Sequence, residues 1–247
     1  GLFVKEIEKE LRRGGCDIAV HSLKDLPVEQ PEGLAVVSVP RRLDPYDVLV
    51  SDEGGELHRL APGARVGTSS PRRAAMLLNA RPDLRVVPLH GNVDTRLRKM
   101  REGRCDALVL AAAGLARLGV GGVAFQRLVP PAFLPAPGQG CLGLEVRTGD
   151  DDARRIAAAL DHPASHAAAR AERALLAALG GGCAMPVGAF AGPGEEPETL
   201  LLRACVLSPD GGEAVRGEAE GGAADPDGLG ARLAAALVDN GAAPLLR

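Results

Sequence analysis

Short apolar runs alternate with segments of helical periodicity along the first half of the chain. The chain opens on a helical pattern over residues 1–13, in which Leu2, Phe3, Ile7 and Leu11 lie along one side. We expect strands at residues 16–21, 34–40, 47–51, 64–70, 84–90, 105–112 and 141–146, and further helices at 71–80, 92–103 and 112–119. This alternation predicts parallel sheets with crossover helices, in which ligands bind beyond the carboxyl ends of the strands.

The pattern changes in the second half of the chain. A segment rich in proline and glycine, residues 129–140, predicts a crossing between two lobes. An alanine-rich helix over residues 163–179 ends in three glycines. Two alternating runs around the turn 209–212 predict a hairpin, and a helix follows near residues 225–240. The tail is therefore expected to form a separate small α+β unit.

The start of the helix predicted at 71–80 has the chemistry of an anion site. Ser70 is a good N-cap and Pro71 suits the first helical position, which places Arg72 and Arg73 in the first turn. Two guanidinium groups and free backbone N–H groups at one place favour a bound anion. The alternative is a solvated helix start with incidental arginines.

Two neighbouring segments extend this basic region. Asn92 can cap the next helix, Arg96 lies in its first turns, and Arg117 follows the strand after it. Residues 71–104 hold nine Arg or Lys against three Asp or Glu. A small polycarboxylate suits this charge better than nucleic acid does, because the segment has no aromatic platform and no recognised nucleic-acid motif.

A second polar group follows the strand predicted at 16–21. His21, Ser22, Lys24 and Asp25 stand where that strand ends, the position at which such folds place functional side chains. An ordinary salt-bridged turn is the alternative. The spacing of the histidines shows no Ser/His/Asp or Cys/His pairing that would indicate nucleophilic catalysis.

Composition narrows the classes of function. The 247 residues are 46% hydrophobic with 2% aromatics, and the net charge is -3, so nothing draws the chain as a whole to nucleic acid or a membrane. No apolar run approaches the length of a membrane span, and no secretory pattern opens the chain. Five cysteines without a CxxC pair argue against disulfides and a metal site and favour the cytoplasm.

Cys183 differs from the other cysteines in its surroundings. Three glycines precede it at the end of the alanine-rich helix, which suits a C-cap and close approach of the backbone. The thiol is expected to be accessible and to have a reactive role. A small buried hydrophobe is the alternative, as for most free cysteines.

Six motifs identify a family when they are taken together. They are, in chain order, HSLKDLP, GTSSPRRAAML, GNVDTRLRK, AAAGLARLG, LPAPGQGCLGLEV and GGGCAMPVGAF. In this order and spacing, the chain resembles the porphobilinogen deaminases over essentially its whole length. The resemblance implies an enzyme that polymerises four porphobilinogen molecules into linear hydroxymethylbilane and releases ammonia at each condensation.

The resemblance also implies a fold and a cofactor. It implies two lobes like type II periplasmic binding proteins, with domain 1 at 1–42 and 138–158, domain 2 at 43–137 and a small α+β domain at 159–247. A dipyrromethane cofactor would be attached through a thioether to Cys183. The family further implies a cytoplasmic monomer that binds neither nucleic acid nor membranes.

Family positions assign roles to the candidate residues. Asp25 matches the catalytic aspartate, which would stabilise the cation left when ammonia departs or pass a proton to the leaving amine. The cofactor carboxylates would be held by Lys24, Ser70, Arg72 and Arg73, with Asp25 beside the pyrrole N–H groups. The substrate would be bound by Ser22, His90, Arg96, Arg117 and Gln139.

Two departures from the family pattern leave alternatives open. Position 90 is commonly arginine in the family, and His90 is a weaker carboxylate partner unless its hydrogen bond suffices. Family members also begin with further βα structure, so we expect a shortened chain that is inactive or poorly folded alone. The alternatives are an inactive fragment, a two-lobed anion receptor without catalysis, and a cysteine hydrolase, for which no activating histidine is evident.

Overall fold

The structure is a computed structural model that describes residues 2–51, 55–182 and 185–246. Its α-helices are α1 (Leu2–Arg13), α2 (Pro71–Ala80), α3 (Val93–Arg101), α4 (Ala112–Arg117), α5 (Asp151–Ala158), α6 (Pro163–Ala178) and α7 (Pro226–Leu237). Its strands are β1 (Ala19–Ser22), β2 (Leu34–Ser38), β3 (Asp47–Ser51), β4 (Arg65–Gly67), β5 (Arg85–Val87), β6 (Ala107–Ala111), β7 (Phe125–Leu128), β8 (Leu142–Arg147), β9 (Val187–Pro193), β10 (Thr199–Leu207) and β11 (Ala214–Gly222). The predicted fold class is confirmed: α/β lobes are followed by a small α+β unit.

The sheet of the first lobe corrects the prediction of parallel pairing. Its strand order is β1-β8-β2, and both outer strands pair antiparallel with β8. The chain enters β8 only after it has passed through the second lobe, and it returns in the opposite direction. Strands β1 and β2 are therefore parallel to each other but are separated by β8.

The sheet of the second lobe has five strands in the order β5-β4-β6-β3-β7. Strand β4 pairs parallel with β5 and β6, as the crossover helices α2 and α3 predict, whereas β3 pairs antiparallel with β6 and β7. The carboxyl ends of three parallel strands therefore meet at one edge. The loops that lead into α2, α3 and α4 begin at that edge, which brings their basic residues together.

The third unit is the antiparallel sheet β11-β10-β9 with α6 and α7 packed on it. The predicted hairpin is present, and Leu207 pairs with Ala214 across its turn. Leu175, Leu202 and Leu229 are completely buried in the shared core. The two helices approach so closely that a Cβ atom at Gly230 would lie 2.4 Å from the carbonyl oxygen of Ala171. The packing of α6 in this unit therefore sets the position of the glycine-rich segment that follows the helix.

The predicted helix starts of the second lobe are confirmed. Ser70 Oγ accepts from the backbone N–H of Arg73 at 3.5 Å, and Asn92 Oδ1 accepts from that of Thr95 at 2.9 Å.

Sequence patterns missed β7, a short edge strand, and α5, which starts within a run of aspartates. The side chain of Asp150 caps α5 by accepting from Ala153 N–H. A cap of this kind satisfies a backbone donor that the helix itself leaves unpaired.

Candidate active site

A cavity of about 240 Å³ lies where the loop after β1, the start of α2 and the glycine-rich segment after α6 meet. Its lining includes most of the residues that the sequence assigned to one site: Lys24, Asp25, Ser70, Arg72, Arg73 and Gln139. Gly182 and Met185 also line it, from the two sides of the cysteine segment. Residues from all three parts of the fold therefore border one volume.

The two arginines of α2 are buried and share one carboxylate. Arg72 and Arg73 are 4% and 6% exposed, and Asp47, at the start of β3, is 1% exposed. Arg72 Nη1 lies 2.7 Å from Asp47 Oδ2, while Arg73 donates to Asp47 Oδ1 from Nε at 3.0 Å and Nη2 at 2.7 Å. Burial alone would raise the pKa of Asp47, but the two guanidinium groups outweigh it and hold this pKa well below its ordinary value.

Gln139 connects this cluster to the first lobe. Its Oε1 accepts from Lys24 Nζ at 3.2 Å and from Arg73 Nη2 at 3.4 Å, and its Nε2 donates to Asp47 Oδ1 at 3.0 Å and to the carbonyl of Pro45 at 2.7 Å. Gln139 is only 1% exposed. Both ends of its amide are therefore occupied by protein groups.

Lys24 is half-buried, and its charge interacts with two guanidinium groups and two carboxylates. Burial and then the charge of Arg73 lower the pKa of Lys24 to about 8, although Asp25 and Asp47 oppose that shift. An ammonium group held among guanidinium groups is stabilised by an incoming anion. Beside it, Asp25 ends the 3₁₀ turn Leu23–Asp25, and its exposed side chain borders the cavity.

Three further candidates lie around the cavity and do not line it. Arg96 is half-buried, and burial followed by the charge of Arg73 lowers its pKa. Burial likewise lowers the pKa of Arg117, which is exposed and donates to the carbonyl of Gly140 at 2.8 Å. His90 is exposed, with Nε2 3.3 Å from Ser69 Oγ. These three residues form the rim of the cavity, because each interacts with a residue that lines it or that adjoins its lining in the chain.

Ser22 differs from the other candidates. It ends β1, its side chain is exposed, and it is not among the described residues that line this cavity. His21, next to it, is instead buried and lies 3.1 Å from Glu145 of β8, between His21 Nε2 and Glu145 Oε2. Alternation along the strand separates the two side chains.

Sequence reasoning missed Asp47 and a second buried ion pair. Arg42 donates to Glu172 from Nη1 at 2.6 Å and Nη2 at 3.2 Å, and from Nε to the carbonyl of Gln139 at 2.8 Å. Glu172 also accepts from the backbone N–H groups of Gly138 and Ala191. The sequence gives one signal for each carboxylate. Glu172 stands on an otherwise apolar face of α6, and Asp47 stands at the start of an apolar strand.

The glycines after α6 end the helix in the manner that the sequence suggested. Gly180 has a φ of 71° and donates to Ala177 O, and Gly181 donates to Leu176 O, both at 2.9 Å. This is a Schellman ending, for which residues without Cβ are suited. A Cβ atom at Gly181 would lie 2.8 Å from Leu176 O. Cys183 follows directly and lies outside the described residues.

The described cysteines form no disulfide bond, and two of them have strongly suppressed acidity. Burial raises the pKa of Cys141 to about 12 and that of Cys205 to about 11. Cys105 is also buried, and Cys16 is partly exposed. Buried neutral thiols of this kind are poor nucleophiles.

Comparison with known proteins identifies the family. A family model described as porphobilinogen deaminase, dipyromethane cofactor binding domain, matches residues 1–155, and one described as porphobilinogen deaminase, C-terminal domain, matches residues 166–239. The chain is 53% identical over 246 residues to the porphobilinogen deaminase of Roseiflexus castenholzii, covering 100% of this chain and 80% of that protein. The porphobilinogen deaminase of Thermus thermophilus is 51% identical, with 99% and 81% covered.

Solved structures with a similar arrangement of elements include solute-binding proteins. An ancestral cationic amino acid solute binding protein aligns with 63% of this chain and 66% of its own at a TM-score of 0.42 and 18% identity. An amino acid ABC transporter substrate-binding protein from Streptococcus pneumoniae aligns with 63% and 64% at 0.39 and 15%.

The described part of the chain has no helix with the length and apolar character needed to span a bilayer.

The two family models together extend over most of the chain, and the similar proteins are enzymes. The dipyrromethane cofactor and the condensation of porphobilinogen into a linear tetrapyrrole belong to that family. The alternative of an anion receptor without catalysis is therefore not supported. The chain is a member of the porphobilinogen deaminase family, the transferases that build hydroxymethylbilane from four porphobilinogen molecules.

Proposed function

We propose that the cavity holds the dipyrromethane cofactor, with Cys183 as its point of covalent attachment. Gly182 and Met185 border the cavity from either side of this cysteine, which supports the assignment. Two of the other thiols support it by contrast, because burial suppresses the acidity of Cys141 and Cys205. A thioether resists exchange with cellular thiols and suits a permanent anchor.

The surplus of cations around the cavity is the observation that carries this proposal. Lys24, Arg72 and Arg73 line it together with one carboxylate, that of Asp25, while the buried carboxylate of Asp47 is already shared by the two arginines. Among the described residues, the buried Nε of Arg72 has no hydrogen-bond partner. These groups fit a cofactor whose pyrrole rings carry acetate and propionate side chains.

The positions of the side chains support a role for each of them. When bound, the cofactor supplies the free pyrrole α-carbon to which a substrate unit is joined. Lys24, Ser70, Arg72 and Arg73 bind carboxylates and orient the ring that bears this carbon. Gln139 acts through Lys24 and Arg73, since its amide bonds to both. Arrangement by fixed charges lowers the barrier because little reorganisation is left for the reaction itself.

Asp25 is proposed as the catalytic carboxylate. It borders the cavity next to Lys24, on the segment that follows β1. When ammonia leaves porphobilinogen, positive charge develops on the exocyclic methylene and the pyrrole nitrogen of the substrate. A carboxylate at that place stabilises the charge, and in its acid form it gives a proton to the leaving amine.

The rim of the cavity is proposed to bind the incoming substrate. Burial lowers the pKa values of Arg96 and Arg117, because it removes water from their guanidinium groups. A substrate carboxylate would stabilise these positive charges in place of the lost water. His90 lies beside Ser69, on the loops that follow β5 and β4. Ser22 is proposed to contact the substrate from the first lobe.

We further propose that the chain works as a monomer in the cytoplasm, without nucleic acid or membrane partners. The division into domains at 1–42 with 138–158, at 43–137 and at 159–247 remains our proposal. The three separate sheets support it. The domain crossings then lie beside Arg42 and Gln139, the two residues joined by a side-chain to backbone hydrogen bond.

The attachment is tested by the intact mass of the purified chain produced in a host that makes porphobilinogen. We expect an added mass of two pyrrole units, which Cys183→Ser abolishes. Cys16→Ser is the matched control, since Cys16 is a free and partly exposed thiol away from the cavity, and it should keep the adduct. An unmodified wild-type chain, or an adduct that persists in Cys183→Ser, would contradict the proposal. Turnover by the same sample would show that these 247 residues are active.

A further inference from the structure

Arg173 of α6 holds the segment that carries Lys24 and Asp25. Its Nη1 donates to the carbonyls of Leu23 at 3.2 Å and Leu26 at 3.1 Å. Its Nη2 donates to Pro27 O at 2.6 Å and to Val28 O at 3.2 Å. One guanidinium group thus binds four carbonyls, one at the start of the 3₁₀ turn and three in the residues that follow it.

The helix that supplies Arg173 also leads to the cysteine. Helix α6 ends at Ala178, and the glycines that follow it border the cavity at Gly182. A neighbouring cavity of about 460 Å³ is lined by Arg173, Lys24, Asp25 and Gly182. The segment that bears Lys24 and Asp25, called the catalytic segment, therefore lies close to the glycines that precede the cysteine. Arg173 lines the cavity between them.

The residue before Arg173 makes the opposite connection. Glu172 accepts from Gly138 N–H at 2.7 Å and from Arg42 Nη1 at 2.6 Å, on the two segments that cross between the lobes. Glu172 thus binds the segments that cross between the lobes, and the adjacent Arg173 binds the segment that carries Lys24 and Asp25. The position of Asp25 relative to the cysteine therefore depends on the contacts of Arg173.

We infer that Arg173 is a positioning residue that sets Asp25 against the pyrrole chain anchored at Cys183. This inference rests on the proposed function. The cysteine follows α6 in the chain, and Arg173 joins the segment that bears Asp25 to the same helix, so α6 connects the two reacting parts. Separations between reacting groups matter at the scale of 1 Å, where a displacement costs up to about 100-fold in rate.

The position of the segment is a different matter from the stability of the protein. Pro27 is exposed and Val28 is half-buried, so water can reach their carbonyl groups when the guanidinium is removed, whereas Leu23 and Leu26 are buried. We expect the free energy of unfolding to fall only in part, whereas the segment loses all four contacts that define its place. Elongation should therefore be affected more than folding or cofactor attachment.

The test compares Arg173→Met, Arg173→Lys and Arg147→Met. Arg147 is a matched control, because it also donates to two backbone carbonyls of the first lobe, those of Leu11 and Cys16, both at 2.7 Å, and does not line either cavity. For each variant we would measure the intact mass, the melting temperature, and kcat and KM for porphobilinogen.

We expect Arg173→Met to keep the two-pyrrole adduct and to lose about 10- to 100-fold in kcat, with a much smaller change in KM. Arg173→Lys should recover part of the rate, since an ammonium group reaches fewer carbonyls. Arg147→Met should keep the wild-type kcat even where its melting temperature falls. Wild-type kcat in Arg173→Met, or an equal loss in Arg147→Met, would overturn the inference. Absence of the adduct from the wild-type chain would instead overturn the proposed function.

Discussion

Asp47 and Arg73 are joined by two hydrogen bonds to one carboxylate oxygen, at 3.0 and 2.7 Å, with both side chains almost completely buried. The same carboxylate balances Arg72. The arginines at the start of α2 are therefore held in place before any ligand arrives, rather than extended into solvent.

Replacing Asp47 with asparagine should destabilise the protein strongly. The substitution keeps the size of the side chain but leaves two buried guanidinium groups without their anion, and breaking a buried ion pair in this way costs about 3–5 kcal/mol. The free energy of unfolding in urea measures the effect. Asp106→Asn is the control, because its partner Arg65 is nearly half exposed and water can replace the bond. Equal losses in the two variants would refute a special role for Asp47.

Asp25→Asn should separate cofactor attachment from elongation. The amide retains the shape of the carboxylate but can neither stabilise a developing cation nor transfer a proton. We expect the two-pyrrole adduct at wild-type occupancy and a loss of kcat of about 100-fold or more. Glu29→Gln is the control, an exposed acidic residue of the same loop that does not line the first cavity. Near-normal turnover in Asp25→Asn would remove Asp25 from the catalytic role.

Lys24 should make substrate affinity depend on pH. Its pKa is lowered to about 8, so the ammonium group that attracts carboxylates is lost as the pH rises through that value. We expect KM for porphobilinogen to rise above pH 8 in the wild type. Lys24→Arg should shift this rise to higher pH, because guanidinium remains charged. An unchanged alkaline rise in Lys24→Arg would show that another group causes it.

The same shift predicts the direction of a stability change. The unfolded chain holds the lysine proton with a pKa near 10.5, and the folded protein holds it more weakly, with a pKa of about 8. This group therefore reduces stability below pH 8, and the cost is relieved as the pH rises from about 8 to 10.5. Lys24→Met should remove that contribution, which unfolding at several pH values would detect. A wild-type slope in the variant would contradict the assignment.

His90→Arg should strengthen substrate binding. A hydrogen bond to a charged donor contributes roughly 1 kcal/mol more than a neutral one, so KM should fall about fivefold. The replaced side chain lies beside Ser69 at the rim and is exposed to solvent. His58→Arg, at an exposed histidine that does not line the cavity, controls for the added charge. If both variants behave alike, position 90 does not contact the substrate.

Much of the fold was predictable from local pattern. Helix α2 has the predicted bounds, and β3 was predicted at the residues it occupies. The antiparallel setting of β8 was not predictable, because it depends on where the chain returns after passing through a second lobe. The edge strand β7 was missed because its four residues carry little apolar periodicity.

The sequence by itself determined features whose partners are a few residues apart. Ser70 caps the helix three residues before Arg73, and Gly180 and Gly181 end α6 against carbonyls of its last turn. Such bonds form wherever the backbone is helical, so short motifs specify them.

Tertiary structure alone decided which charges are balanced. Asp47 lies 26 residues from Arg73, and Glu172 lies 130 residues from Arg42. Burial then converts these distant pairs into strong interactions, because a charge removed from water must find its counter-charge within the protein. Only the fold shows that Arg72 and Arg73 share a carboxylate, and that one arginine of α6 holds the segment bearing Asp25.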